Sequence, residues 1–227
     1  MTKPQHILLL GIGNVLWADE GFGVRVIEHL QKNYRFPEQV QVMDGGTQGV
    51  YLVEHVQAAD VLVVFDAVDY GLPEGTLKCI ENEEVPKFLG AKKMSLHQTG
   101  FQEVLAMAEM LGQYPEHLLL IGVQPVELDD YGGSLRPQVK AQIQPAIDIA
   151  LTYLATFGMT AEINTAHNEL SDPVLDIQRY EQERPTATEA CRIGDERILQ
   201  SEAFEVRPPV SYEEHSLKVD IDYRGKY

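Results

Sequence analysis

Cysteine is nearly absent from this sequence: the 227 residues include two, Cys79 and Cys191, with no CxxC spacing. That excludes a disulfide-stapled scaffold, a zinc ribbon and a redox dithiol, and reduced thiols in a cytosolic protein are expected. Positive charge is scarce as well. With 18 Lys+Arg against 35 Asp+Glu the formal net charge is −17, and no basic cluster interrupts the acidity. A nucleic-acid partner needs basic surface to displace counterions, so none is expected. Long apolar runs are missing too. No stretch reaches the roughly 20 apolar residues of a spanning helix, and the run His6–Ile12 is too short for a signal h-region. The expectation is a soluble, cytoplasmic protein with no membrane insertion. Three motifs of common chemistries are also absent: GK[ST], HExxH and GxSxG. A P-loop, a zincin and a serine-hydrolase elbow are therefore unsupported.

Three continuous apolar runs are present, at Ile7–Leu10, Val61–Phe65 and Leu118–Val123. None alternates with period two, as strands covered on both faces of a parallel sheet do not. Helical spacing separates them, in Val24–Leu30, Val50–Val56, Phe101–Leu111 and Ile143–Leu154. Gln39–Met43 reads as a further strand, and Gly75–Ile80 as a short one, antiparallel at an edge. Strands alternating with helices indicate βαβ units. The expected fold is α/β, a three-layer sandwich with a twisted, mostly parallel five- or six-stranded sheet between helices. After about Thr160 the pattern fades. Residues 161–227 carry 15 acidic and 8 basic residues and four prolines, a composition that does not readily offset its ordering entropy by burial. Residues 1–160 are read as the α/β domain and 161–227 as an acidic, polar extension, in which Val174–Tyr180 and Arg197–Val206 are candidate short helices.

Ligands of such sheets bind outside the carboxyl ends of the strands. Gly11-Ile12-Gly13 there resembles the start of a dinucleotide loop. The third glycine would fall at Leu16, however, and Asp44 stands 31 residues past Gly13 instead of about 20. The sharper constellation is Glu20, Asp66 and His97, one from each of three strand-end or helix-start segments. Two carboxylates and an imidazole suit a borderline divalent metal with positions left open. Ordinary alternatives stand beside it: a helix-start acid at Glu20, a cap at Asp66 and a loop histidine at His97. Asp44-Gly45-Gly46-Thr47 occupies the same rim, where its glycines either let a substrate backbone approach or form a tight turn. Asp69, Asp129 and Asp130 sit in turn-like settings and read as solvated caps; Cys79 reads as a buried structural thiol; Trp17 is either core or a loop-tip contact.

The segments GIGNVLWADEGFGVRV, DGGTQG, VVFDAVDYG, KKMSLHQTGFQEVLA, IGVQP and LDDYGGSL occur in this order between Ile7 and Phe157. Together they resemble the maturation endopeptidases that process the large subunit of nickel-iron hydrogenases. The resemblance implies a compact α/β sandwich and a protease that removes a C-terminal extension from the large-subunit precursor after nickel insertion. It implies that Glu20, Asp66 and His97 form the metal-recognising and catalytic trio, and that Asp44 to Thr47 belong to substrate recognition. Nickel would come with the precursor, no tightly bound cofactor is expected, and the protein would act as a monomer. Which carboxylate serves as general base stays open. A non-catalytic nickel-binding assembly chaperone is the alternative in another class.

Overall fold

The structure, a computed structural model, describes residues 4, 6–89, 96–165 and 176–183, with the side chains of 87–89 and 96–100 outside that description. These residues belong to one compact unit, Met1–Arg184; a second, Pro185–Tyr227, lies outside the described residues, and with it the candidate helix at Arg197–Val206.

Four strands carry the continuous apolar or near-continuous runs: β1 (Ile7–Ile12), β3 (Val40–Gly46), β4 (Val61–Ala67) and β6 (His117–Val123). With β5 (Leu77–Glu81) they form a five-stranded sheet of order β3-β1-β4-β6-β5. All neighbours are parallel except β5, which runs antiparallel to β6 at the edge. Every residue of β1 and β4 is buried, which explains why neither alternates: both faces of these strands are covered. At the edge, Ile80 of β5 is buried while Cys79 is exposed. The expectation of a buried thiol fails there because one flank of an edge strand lacks a neighbour.

Odd and even positions of the strands feed two separate cores. Ile7, Leu9, Val61, Val63, Phe65, Leu119 and Ile121 pack under α1 (Phe22–Asn33) and α6 (Ile143–Thr156). Leu8, Leu10, Leu62, Val64, Leu118 and Leu120 pack on the other face under α2 (Val53–Ala58) and α4 (Leu96–Met110), with Val85 of α3 (Glu84–Leu89). The helical repeat points the right side chains inward: Phe22, Val26, Ile27 and Leu30 of α1, and Ala146, Ile147, Ala150 and Leu154 of α6, are all buried. Among the described residues no helix is long and apolar enough to cross a membrane.

Beyond residue 160 two short elements return to the domain. β7 (Glu162–Ile163) pairs antiparallel with β2 (Tyr34–Arg35), a two-stranded sheet outside the main one. α7 (Ile177–Glu183) has no fully buried residue; Ile177 packs against the core under α1 and α6, and polar contacts add to it. The Ile177 amide donates to Glu28 Oε1 (3.0 Å), Lys140 Nζ meets Glu181 Oε2 (2.7 Å), and the Arg25 guanidinium lies 5.5 Å from the Tyr180 ring centroid. Glu28 and Asp176 share a hydrogen bond across this contact. Burial raises the Glu28 carboxyl above its ordinary value despite the bonded Arg25. Asp176 is pushed up by desolvation but brought below its ordinary value overall by hydrogen bonds from Glu28 and from the Arg179 and Gln178 amides.

The signs of the two shifts define a pH window. Glu28 contributes fully below its unfolded value and loses that contribution as pH rises through its raised folded value; Asp176 contributes above its unfolded value and loses it as pH falls through its lowered one. α7 is therefore expected to dock more tightly as pH falls from 7 toward the ordinary glutamate value of 4.5. Amide exchange at residues 177–180, corrected for intrinsic rates, should show protection rising between pH 7 and 5 in the wild type and little change in Glu28→Gln. Equal protection at both pH values in the wild type would contradict the coupling.

Candidate functional site

The carboxyl edge of the sheet collects the exits of β1, β3, β4 and β6, and packing between backbones fixes how the first of these leaves. Gly13 follows β1 at φ +137°, a conformation open to glycine, and a Cβ there would stand 1.8 Å from the Glu20 carbonyl oxygen. Its amide donates to the Gly46 carbonyl (3.1 Å), joining the exits of β1 and β3. At Gly23, in the first turn of α1, a Cβ would lie 2.1 Å from the Phe65 carbonyl oxygen of β4. The glycines of GIGN and EGFG therefore serve close approach of chain to chain.

Glu20 stands half-buried on the 3₁₀ turn Ala18–Gly21, which packs against β4. Asp66 is the penultimate residue of β4, 2% exposed, and its Oδ1 accepts the Ala67 amide (2.8 Å). These two segments are thus brought together at one end of the sheet. Asp66 aligns with Gly122 of β6, which in turn aligns with Lys78 of β5. Gly122 leaves room for a ring: a Cβ there would be 2.0 Å from the Tyr70 hydroxyl. Tyr70 consequently lies over β6 beside Asp66, with Lys78 Nζ 5.1 Å from its centroid. Burial first, then the negative charge of Asp66 and of Cys79, raises the Tyr70 phenol above its ordinary value. The phenol therefore remains neutral and retains its proton.

His97 lies within α4, in its first turn, a helix-start position and not a loop. Ser95 and the His97 side chain are outside the description. A helix of 15 residues that packs on the sheet and leads into β6 starts over the carboxyl edge. Among the described residues no three His, Cys, Asp or Glu side chains form a group that could hold a metal ion. Asp44 and the two glycines after it belong to β3, with an irregularity in register between Gly11 and Ile12, and are not a turn after the strand. Asp44 is exposed; partial desolvation raises its carboxyl, against the lowering by the Gly46 amide and the Arg25 charge. Thr47 is exposed in the turn that follows.

Two buried polar residues that the sequence reading passed over organise this edge. Asp19 is 0% exposed: Oδ2 accepts the amides of Val126 and Glu127 (both 2.9 Å) and Oδ1 that of Arg136 (2.6 Å). Gln124, at the end of β6, accepts the amides of Tyr70 (2.7 Å) and Leu72 (3.1 Å) through Oε1 and donates to Asp69 Oδ1 (2.9 Å). Asp130, expected as a solvated cap, is buried and paired with Arg136 at 2.9 Å. Asp69 and Asp129 are exposed as expected. Trp17 is a loop-tip residue, 36% exposed, bridged to Tyr131 with ring centroids 5.2 Å apart. The adjacency of two acids, Asp19 and Glu20, was the available signal: Asp19 is buried among amides and Glu20 is half-buried.

Asp19→Ala strips acceptors from three amides at once and should cost about 3 kcal/mol or more. Urea denaturation followed through Trp17, the single tryptophan of the chain, measures this. An unchanged midpoint would remove Asp19 from its assigned role.

Comparison with known proteins sets this geometry in a family. Residues 24–153 match the model of the hydrogenase maturation protease family. The chain is 64% identical over 207 residues to the hydrogenase expression/formation protein HupD of Thiocapsa roseopersicina, covering 88% of this chain and 93% of that one. It is 40% identical over 158 residues to the hydrogenase 2 maturation protease of Escherichia coli strain K12, covering 69% and 95%. Among solved structures, the hydrogenase maturating endopeptidase HybD from E. coli superposes with a TM-score of 0.67 at 37% identity, over 70% of this chain and 98% of that one. The chain belongs to the hydrogenase maturation proteases, and by that membership it is an endopeptidase.

Proposed function

We propose that this protein removes the C-terminal extension of a nickel-iron hydrogenase large-subunit precursor after nickel has been inserted, and that Glu20, Asp66 and His97 read the nickel the precursor carries. The observation that supports this most directly is Asp66. A carboxylate 2% exposed at the end of a central strand lies on the face covered by α4, whose first turn carries His97, and next to the turn that carries Glu20. An acid at the carboxyl end of a central parallel strand stands where ligands of such sheets bind.

The donor set fits a passing metal. Two carboxylates and one imidazole, without thiolate, hold a borderline ion only modestly, which suits an enzyme that must release its product. Nickel is part of the substrate in this reading and no resident cofactor is needed. Nickel held by Glu20, Asp66 and His97 would supply polarisation of the scissile carbonyl, and one of the two carboxylates, Asp66 or Glu20, would take the proton from the attacking water. Asp44, Gly45, Gly46 and Thr47 border the same edge and receive the substrate backbone, which the glycines allow to come close.

The test is a mass measurement of nickel-loaded and nickel-free precursor after incubation with the protein. Loss of the extension in the loaded sample alone is expected, and Asp66→Ala should slow it by about 10²- to 10⁴-fold while remaining folded. Nickel-free precursor cut at the same rate would overturn the nickel reading. A protein that binds nickel-loaded precursor yet never shortens it would instead be an assembly chaperone.

A further inference from the structure

The exits of all four parallel strands carry large apolar side chains that face solvent. Leu16 and Trp17 follow β1, Val50 and Tyr51 follow β3, Leu72 follows β4 and Tyr131 follows β6, exposed by 36% to 80%. Scattered exposed apolar residues need no explanation, but a group that rings one edge of the molecule marks an interaction surface. These strand exits all leave the end of the sheet at which Asp66 and the turn carrying Glu20 lie.

The Trp17–Tyr131 pair within it is built rigidly. An antiparallel bridge joins the two residues, the Gly132 amide donates to the Leu16 carbonyl (2.7 Å), and the rings meet edge to face. Beneath them Asp19 ties the β1 exit to the segment from Val126 to Arg136. Rigid, exposed aromatic side chains lose little conformational freedom on binding, which is why Trp and Tyr dominate binding hot spots. The polar groups interleaved with the ring are mainly acids: Asp44, Asp69 and Asp129 are exposed there, whereas Arg136 is already paired with Asp130. An apolar ring with acidic neighbours complements apolar side chains flanked by basic ones.

We propose that this ring, anchored on Trp17 and Tyr131, is the docking surface for the precursor polypeptide beside its cut, and that the segment it grips carries apolar side chains flanked by Lys or Arg. This rests on the processing activity proposed above and adds where the affinity for the protein part of the substrate resides. The metal-reading residues act in the cut; the aromatic ring acts in capture.

The full-length protein tests it with one label. Because Trp17 is the only tryptophan, biosynthetic 5-fluorotryptophan gives a single fluorine resonance from the ring itself. Addition of unlabelled nickel-loaded precursor should shift or broaden that resonance. Trp17→Ser with Tyr131→Ser should raise KM for the precursor about tenfold or more with kcat changed less than about twofold, and Trp17→Phe with Tyr131→Phe should restore most of it. An unmoved resonance at saturating precursor, or an unchanged KM in a folded serine variant, overturns the docking surface while leaving cleavage intact. Wild-type protein that binds the precursor and moves the resonance but never cuts overturns the processing activity and leaves the docking surface standing.

Discussion

The carboxylate of Asp19 is the interaction on which the rest of the edge depends. It is fully buried, and three backbone amides from two places in the 126–136 segment satisfy it. Hydrogen bonds to an ionised acceptor are stronger than neutral ones, and a buried charge deprived of its partners is among the costlier defects a fold can carry. The exits of β1 and β6 are therefore one body, although 107 residues separate Asp19 from Val126. Gln124 extends the same logic to the exit of β4 through the amides of Tyr70 and Leu72. Gly13 and Gly46 add β3. What looks like four loops is a cross-linked rim, and Glu20, Asp66, Trp17 and Tyr131 all take their positions from it.

This also decides what could be read from the chain beforehand. The strands were legible because covering both faces leaves continuous apolar runs, and β5 was legible as an edge from its position after the Pro73 turn. The Gly11-Ile12-Gly13 loop shares part of a dinucleotide pattern for a physical reason: close approach demands glycine whatever approaches, and here the Gly23 and Glu20 carbonyl oxygens approach. Asp19 was illegible beside Glu20 because the two are chemically alike. Only the distant segment that folds over the first distinguishes them. Asp130 looked solvated for the same reason, its Arg136 partner being brought round by the turn at Gly132 and Gly133. That the segments carrying Glu20 and Asp66 meet was legible because strand exits of parallel sheets converge.

The acidity of the chain reads differently once these contacts are known. Many of its carboxylates serve as acceptors for backbone amides: Asp19, Asp60 for His6, Asp69 for Gly71, Glu127 for Asp129 and Asp176 for Gln178. A carboxylate satisfies loop amides without itself needing a basic partner, so loops built this way accumulate negative charge. The excess is in part a consequence of how the loops are held together. Only the exposed remainder around the rim is available to attract a basic segment.

The two acids at the rim are divided by the pleat of the sheet. Asp44 aligns with Gly11, and Gly11 with Phe65, so Asp44 shares the face of Phe65, toward α1, where the Arg25 charge reaches it. Asp66 is the next residue after Phe65 and points to the opposite face, toward α4 and Tyr70. Asp66 and Asp44 therefore point to opposite faces of the sheet. Glu20 escapes this division because it comes from a turn that crosses the end of the sheet and not from a strand within it. The separation of Asp44 from Asp66 thus follows from the alternation of a single strand register.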